Sequence, residues 1–262
     1  MAFRASHLCS AFFICVIGGA CAGTPARGTP RPTVSAPVPL TTAESRIRDA
    51  VDVHYDSAVA LLRRAVNIPS GTGNLAGVRQ VGDLFGAELT ALGFESQWVS
   101  VPESMRRAGH LVATHRGGNG PRLLLIGHLD TVFEGEGQQW VREDSIARGA
   151  GTSDMKGGDV AIILALRALA DAGRLKDMNI IVIMTGDEES AGNPIPAARA
   201  ALLDAARASD IALAFEGGSP TRVAIGRRGA SGWSLDIKGK QGHSSGVFSE
   251  GAGYGAAYEG AR

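Results

Sequence analysis

The chain has 262 residues, 26 Lys+Arg against 26 Asp+Glu, and 44% hydrophobic residues. That is enough apolar content for a sizeable core, and the zero formal charge and lack of any basic run exclude nucleic acid and anionic membrane surfaces as partners. The 36 Gly and 11 Pro point to a loop-rich fold and exclude fibrous and coiled-coil architectures. Cys9, Cys15 and Cys21 all fall in the first 21 residues, so neither a disulfide framework nor a thiolate metal site exists beyond them.

Residues 1–22 read as a signal peptide: Arg4 precedes an apolar run from Leu8 to Ala20 that ends in small residues. The run is too short for a comfortable membrane span. Two processing routes stay open. Ala20-Cys21-Ala22 fits cleavage before Gly23, whereas Gly18-Gly19-Ala20-Cys21 resembles a bacterial lipobox that would place a lipid anchor on Cys21. Either route makes the protein exported, as a periplasmic protein or a membrane-anchored lipoprotein. Residues 23–40 hold Pro25, Pro30, Pro32, Pro37 and Pro39 without apolar periodicity, the composition of an extended tether.

The folded part is expected from Thr41. Thr41-Thr42-Ala43-Glu44 is a capping-box pattern, followed by Ile47, Ala50, Val51, Ala58, Leu61, Leu62 and Ala65 at helical spacing and closed by Pro69 and Gly71. A second helix fits Asn74 to Leu92, with Gly93 as its stop. The period then changes, and short strands are expected at Gln97–Val101, Leu111–His115 and Arg122–Ile126. Gly117-Gly118-Asn119-Gly120 reads as a hairpin turn between the last two. Beyond them a helix (Met155–Ala172), a strand (Asn179–Thr185), a helix (Pro196–Ala208) and a strand (Ile211–Phe215) alternate. Such alternation, with strands apolar on both faces, predicts an α/β fold with a mostly parallel sheet flanked by helices.

The chemistry-bearing residues follow the strands, where open α/β sheets place their ligands. Arg122–Ile126 runs into Gly127-His128-Leu129-Asp130, Ile180–Thr185 into Gly186-Asp187-Glu188-Glu189, and Ile211–Phe215 into Glu216-Gly217-Gly218. Asp154 ends the Gly-rich loop Gly149–Ser153. Taken singly, His128 could be structural, Glu188-Glu189 a solvated turn, Glu216 a helix cap and Asp154 an N-cap. Together they would crowd carboxylates unless a cation sat among them. Imidazole plus carboxylate suits zinc, or manganese or cobalt at similar geometry.

Three segments, GHLDTV (127–132), GAGTSDMKGG (149–158) and GDEES (186–190), carry a resemblance to the two-metal zinc peptidases and deacylases that include glutamate carboxypeptidase, aminoacylase, acetylornithine deacetylase and succinyl-diaminopimelate desuccinylase. The resemblance runs from about Leu61 to the end of the chain. It implies two Zn2+ ions, with Co2+ or Mn2+ as alternatives: His128 and Glu216 on one metal, Glu189 on the other, and Asp154 bridging both. It also implies Asp130 accepting the other ring N–H of His128, Glu188 as general base, and a cis peptide at Asp154-Met155. The activity implied is hydrolysis of an amide bond in a small peptide or N-acyl amino acid, with a metal-bound hydroxide as nucleophile.

The same resemblance makes 41–226 the N-terminal part of a catalytic metallopeptidase domain and 227–262 the start of an inserted α+β lid and dimerisation domain. Ile225-Gly226-Arg227-Arg228-Gly229, followed by Trp233, Leu235 and Ile237, looks like the crossing between them. A homodimer through that lid is implied, as is His243, in Lys240–Ser245, as an oxyanion donor; a surface-loop histidine is the alternative there. The chain is expected to stop short of the rest of the lid and of a late metal-ligand histidine, and to be inactive alone. Two rival readings are an aminopeptidase with a related two-metal site and no lid, and a non-catalytic metal-binding or partner-binding lipoprotein on the same scaffold. The intact Glu188 speaks against the second.

Overall fold

The computed structural model describes residues 39–135, 139–218, 223–226, 229, 232, 234–239, 243–246, 249 and 255–261. The expected signal peptide, Cys21 and nearly all of the linker lie outside the described residues, as do Arg227, Arg228 and Trp233 of the expected lid crossing.

The capping box at Thr41 forms: its hydroxyl accepts the N–H of Glu44 at 3.3 Å while the Glu44 carboxylate accepts the N–H of Thr41 at 2.7 Å. It opens helix α1, Thr42–Val66, whose buried stripe of Ala58, Leu61 and Ala65 packs along helix α3, Lys156–Asp171. Helix α2, Leu75–Ala91, starts at its cap Asn74, whose side chain accepts the N–H of Gly77, and covers the strands that follow.

Those strands are β1 (Glu95–Val99), β2 (His110–His115), β3 (Arg122–His128), β6 (Asn179–Thr185) and β7 (Ile211–Ala214), in the order β1-β2-β6-β3-β7. A separate hairpin, β4 (Val141–Glu143) and β5 (Ile146–Arg148), lies between β3 and α3 in the chain. Helices α4 (Ile195–Ala198) and α5 (Ala200–Arg207) divide at Arg199, where one continuous helix was expected.

The sheet is mixed, which corrects the expectation of a mostly parallel one. β6, β3 and β7 run parallel, whereas β1 pairs antiparallel with β2, and β2 antiparallel with β6. Apolar residues on both faces of a strand report that helices cover both faces, and they carry no information about strand direction. In β6, Ile180, Val182 and Met184 enter the core with α1, α2 and α3, while Ile181 and Ile183 pack towards Ala201, Leu202 and Ala205 of α5.

The hairpin expected between β2 and β3 is also corrected, because β6 lies between those two strands. The Gly117–Gly120 loop instead passes around the start of β6: the Gly117 N–H donates to Asn179 Oδ1 at 3.1 Å, and Asn179 Nδ2 donates to the Gly120 carbonyl at 3.3 Å. A Cβ on Gly117 would collide with the Met178 backbone, so this approach needs glycine.

Among the described residues, no helix is long and apolar enough to cross a membrane. Of the expected lid segment, the described positions form a short 3-10 turn, Ser244–Gly246, and helix α6, Gly255–Ala261; residues 234–239 are not a strand.

Candidate metal centre

Because β6, β3 and β7 are parallel neighbours, their C-terminal ends share one sheet edge, as the sequence implied. His128 is the last residue of β3, Glu188 and Glu189 follow β6, and Glu216 follows β7. Asp154 arrives from the Gly-rich loop immediately before α3, and its peptide bond to Met155 is cis. In that loop Gly151 has φ +77°, and a Cβ there would press on Thr131 and on the Lys156 stem.

The His128 ring is 1% exposed and is the hub. Its Nε2 lies 3.1 Å from Asp154 Oδ1, 3.5 Å from Glu216 Oε1 and 4.0 Å from Glu188 Oε2. Two groups of ligand atoms gather within 4.8 Å of one another: His128, Asp154 and Glu216, and His128, Glu188 and Glu189. The first is the set expected. The second brings Glu188 in beside Glu189, where the expectation paired Glu189 with Asp154.

The expected contact between the His128 ring and the Asp130 carboxylate is joined by a shorter one. His128 Nδ1 donates to the main-chain carbonyl of Asp130 at 3.0 Å, and the nearest carboxylate oxygen of Asp130 is 3.5 Å away. Either way Nδ1 donates, and Nε2 is the ring nitrogen that faces the carboxylates. The Asp130 carboxylate also has other partners: it accepts the Glu188 N–H at 3.0 Å, the Glu189 N–H at 3.1 Å and the Thr72 hydroxyl at 2.7 Å.

More contacts fix the acidic loop, and sequence reasoning missed them. Buried Asp187 accepts from Arg199 Nη1 at 2.5 Å and from the Gly192 N–H at 2.8 Å. Arg107 donates to the Ser190 carbonyl at 2.6 Å and to its hydroxyl at 2.9 Å. Thr72, Arg107 and Arg199 lie far from the motifs in sequence, so spacing gave no signal for them; Asp187, inside GDEES, could have been flagged as the motif's buried acid. His243 is exposed, belongs to neither ligand group, and accepts the Ser245 N–H through Nδ1 at 3.2 Å.

The electrostatics are those of crowded acids. Burial and the neighbouring Asp154 carboxylate push Glu189 up, and burial with Asp154 and Glu188 does the same to Glu216. Burial opposes charge on His128, yet Asp130, Asp159 and Glu216 outweigh it and raise its pKa to about 10. Glu189 Oε1 is buried and has no hydrogen-bond partner among the described residues. An orphaned carboxylate oxygen, an imidazole Nε2 whose proton a metal would displace, and mutually repelling acids are a donor set that fits a divalent cation.

Two clefts open on the cluster. One, of about 600 Å³, is bounded by Ser153, Asp154, Glu188, Ala214 and Glu216. The other, of about 570 Å³, holds Asp154 and Glu189 beside exposed Val132 and Phe133.

Compared with known families, residues 124–248 match Peptidase family M20/M25/M40. At the level of family and fold the chain is similar to the M20 peptidases and deacylases. It is 31% identical over 211 residues to a succinyl-diaminopimelate desuccinylase of Xanthomonas oryzae pv. oryzae, a match covering 75% of this chain and 51% of that one. It is 28% identical over 200 residues to carboxypeptidase G2 of Pseudomonas sp., covering 72% of this chain and 46% of that one. The chain thus spans about half the length of the curated relatives it matches. Its fold resembles that of the dipeptidase Dug1p from Saccharomyces cerevisiae, with a TM-score of 0.53 at 17% identity over 65% of this chain and 40% of that one. The M20 likeness and the two ligand groups are together consistent with the fold of a metal-binding hydrolase.

Proposed function

We propose that this M20-like chain acts in the hydrolysis of an amide bond in a small peptide or N-acyl amino acid, as a carboxypeptidase or deacylase. The observation that carries the reading is that ligand atoms of Asp154 and Glu216, and of Glu188 and Glu189, gather within 4.8 Å of one on His128, beside two clefts.

In this reading His128, Asp154 and Glu216 would hold one Zn2+, and Asp154 and Glu189 a second; such a centre would supply polarisation of the scissile carbonyl and a lowered pKa for water. The chain's own residues do the rest. Glu188 is half exposed and rooted by its N–H on Asp130, so its carboxylate can take a proton from the attacking water and return it to the leaving amine. Val132 and Phe133 offer an apolar wall to one arm of the substrate. His243 is assigned as a donor to the developing oxyanion. Similarity to a succinyl-diaminopimelate desuccinylase supports the N-acyl reading over one for free amino termini.

The test is a panel of N-acyl amino acids, N-terminally blocked dipeptides and free dipeptides offered to the zinc-loaded protein in a version that spans the full length of its curated relatives. Turnover of the acylated members is expected, and Glu188→Gln should lower kcat by about 100- to 10,000-fold with zinc content unchanged. Parallel loss of zinc would make Glu188 a ligand, and turnover confined to free amino termini would favour the aminopeptidase reading. Export belongs to the same proposal: mass spectrometry of protein from the native host should find a lipidated Cys21 or a free Gly23 at the N-terminus, and an intact Met1 would reject both.

A further inference from the structure

His110, the first residue of β2, is 1% exposed and belongs to neither ligand group. Both of its ring nitrogens are engaged. The main-chain N–H of Gly186 donates to Nδ1 at 3.3 Å, and Nε2 lies 3.1 Å from the Ala198 carbonyl oxygen. A peptide N–H only donates and a carbonyl only accepts, so Nδ1 must be bare and Nε2 must carry the proton. One neutral tautomer satisfies both partners. The imidazolium would set an N–H against the N–H of Gly186.

The two partners are informative. Gly186 is the entry to the acidic loop, directly after the end of β6 and two residues before Glu188. Ala198 ends α4, next to Arg199, whose guanidinium holds Asp187 of the same loop. His110 therefore ties the start of the loop to the helix that clamps its second residue. A Cβ on Gly186 would collide with the Gly109 carbonyl and meet Val78 at 2.8 Å, so the loop entry is packed directly onto the residue preceding His110.

We propose that His110, as a neutral imidazole, is a positioning residue for the metal centre: it fixes Gly186 and, through it, the carboxylates of Glu188 and Glu189. The inference rests on the metal-centre reading above. The charged groups around the ring are Asp187 in the loop, Arg199 between α4 and α5, and Asp130 after β3. Burial lowers the pKa of His110 below its ordinary 6.5, against the pull of Asp187 and Asp130, which agrees with the neutral tautomer that the hydrogen bonds require. Acidification that protonates the ring would break the Gly186 bond and loosen the loop.

Zn2+ titrations of the whole chain and of two variants test this. His110→Phe keeps volume and loses both hydrogen bonds; it should bind Zn2+ about 10- to 100-fold more weakly, the usual effect of removing a partner that orients ligands. His110→Asn keeps an acceptor near the Nδ1 position and should recover most of that loss. Its affinity should also fall less steeply than the parent's as pH is lowered below 6.5, since the amide does not titrate. Imidazole nitrogen NMR of the parent at neutral pH should show Nδ1 unprotonated.

Parent-like affinity in His110→Phe, parallel pH curves for the parent and His110→Asn, or a proton on Nδ1 would each overturn the proposal. If His110→Phe does not fold, the other two measurements decide. A parent chain that takes up no Zn2+ would remove the metal centre and this inference with it, whereas normal uptake by His110→Phe removes this inference alone.

Discussion

Asp130 Oδ1 accepts the main-chain N–H of Glu188 at 3.0 Å. The other oxygen of the same carboxylate serves Glu189 and Thr72, and the Asp130 main-chain carbonyl serves the His128 ring. One fully buried residue thereby sets both the imidazole tautomer and the position of the glutamate pair. Burial opposes its charge, but the hydrogen bonds it accepts and the nearby imidazole prevail and hold its pKa below the usual carboxylate value.

Asp130→Asn should weaken the centre without unfolding the chain. The amide retains one acceptor oxygen and turns the other into a donor, which cannot serve the N–H of Glu189. Zinc affinity measured by titration should fall about 10- to 100-fold, with an unchanged far-ultraviolet circular dichroism spectrum. Parent-like affinity would mean that the loop keeps its place without this carboxylate.

Lys156 carries a structural prediction from inside the Gly-rich motif. Its ammonium is fully buried and donates to the carbonyls of Ala65 and Ile68 at 2.9 Å each, closing the C-terminal end of α1 against the start of α3. Lys156→Met keeps the stem and removes the donor from both carbonyls; that of Ala65 still accepts the Ile68 N–H at 3.1 Å, so the cost falls mainly on Ile68 and a loss of stability of about 1 to 3 kcal/mol is expected. A urea melt should show a lower midpoint with an unchanged slope. An unshifted midpoint would show that water replaces the amine at no cost.

At the far end of the sheet, Asp210 accepts from the Arg122 guanidinium at 2.8 Å and from the Arg122 N–H at 2.8 Å, pinning the start of β7 to β3. The guanidinium bond first and the N–H bond second lower the Asp210 pKa from an ordinary 3.8 to about 2. A carboxylate whose pKa is lowered on folding binds fewer protons in the native state than in the unfolded one. Its contribution is therefore complete above about pH 4 and lost as pH falls through about 2. Stability curves of the parent and Asp210→Asn should be separated at neutral pH and converge between pH 4 and 2. Both side chains are about half exposed, so the gap should be small and should shrink with added salt.

Much of the site was legible because its residues sit at the ends of strands that announce themselves. Leu123–Ile126 and Ile180–Met184 are unbroken apolar runs, and placing His128 and the glutamates just beyond their C-terminal ends needed no tertiary information. Strand order was not legible, because the apolar faces of β2 and β6 are the same whether the pair runs parallel or antiparallel. The β4–β5 hairpin escaped notice because its strands are three residues long and largely exposed, which leaves no alternation to detect. The split at Arg199 is a tertiary effect: the guanidinium turns to the buried Asp187, a demand that no local helix propensity reveals. His110, Arg107 and Thr72 were invisible for the same reason, since they meet the acidic loop or Asp130 only after folding.

The most direct test of the central claim is zinc titration of the parent chain beside His128→Ala. His128 belongs to both groups of gathered ligand atoms and is the one nitrogen ligand of the proposed centre, whereas Glu216→Ala removes one carboxylate from one site. We expect Zn2+ uptake by the parent, a large loss of affinity and of bound zinc in His128→Ala, and a smaller loss in Glu216→Ala. Zinc binding by His128→Ala that matches the parent would contradict the account, because no metal centre could then be built around that imidazole.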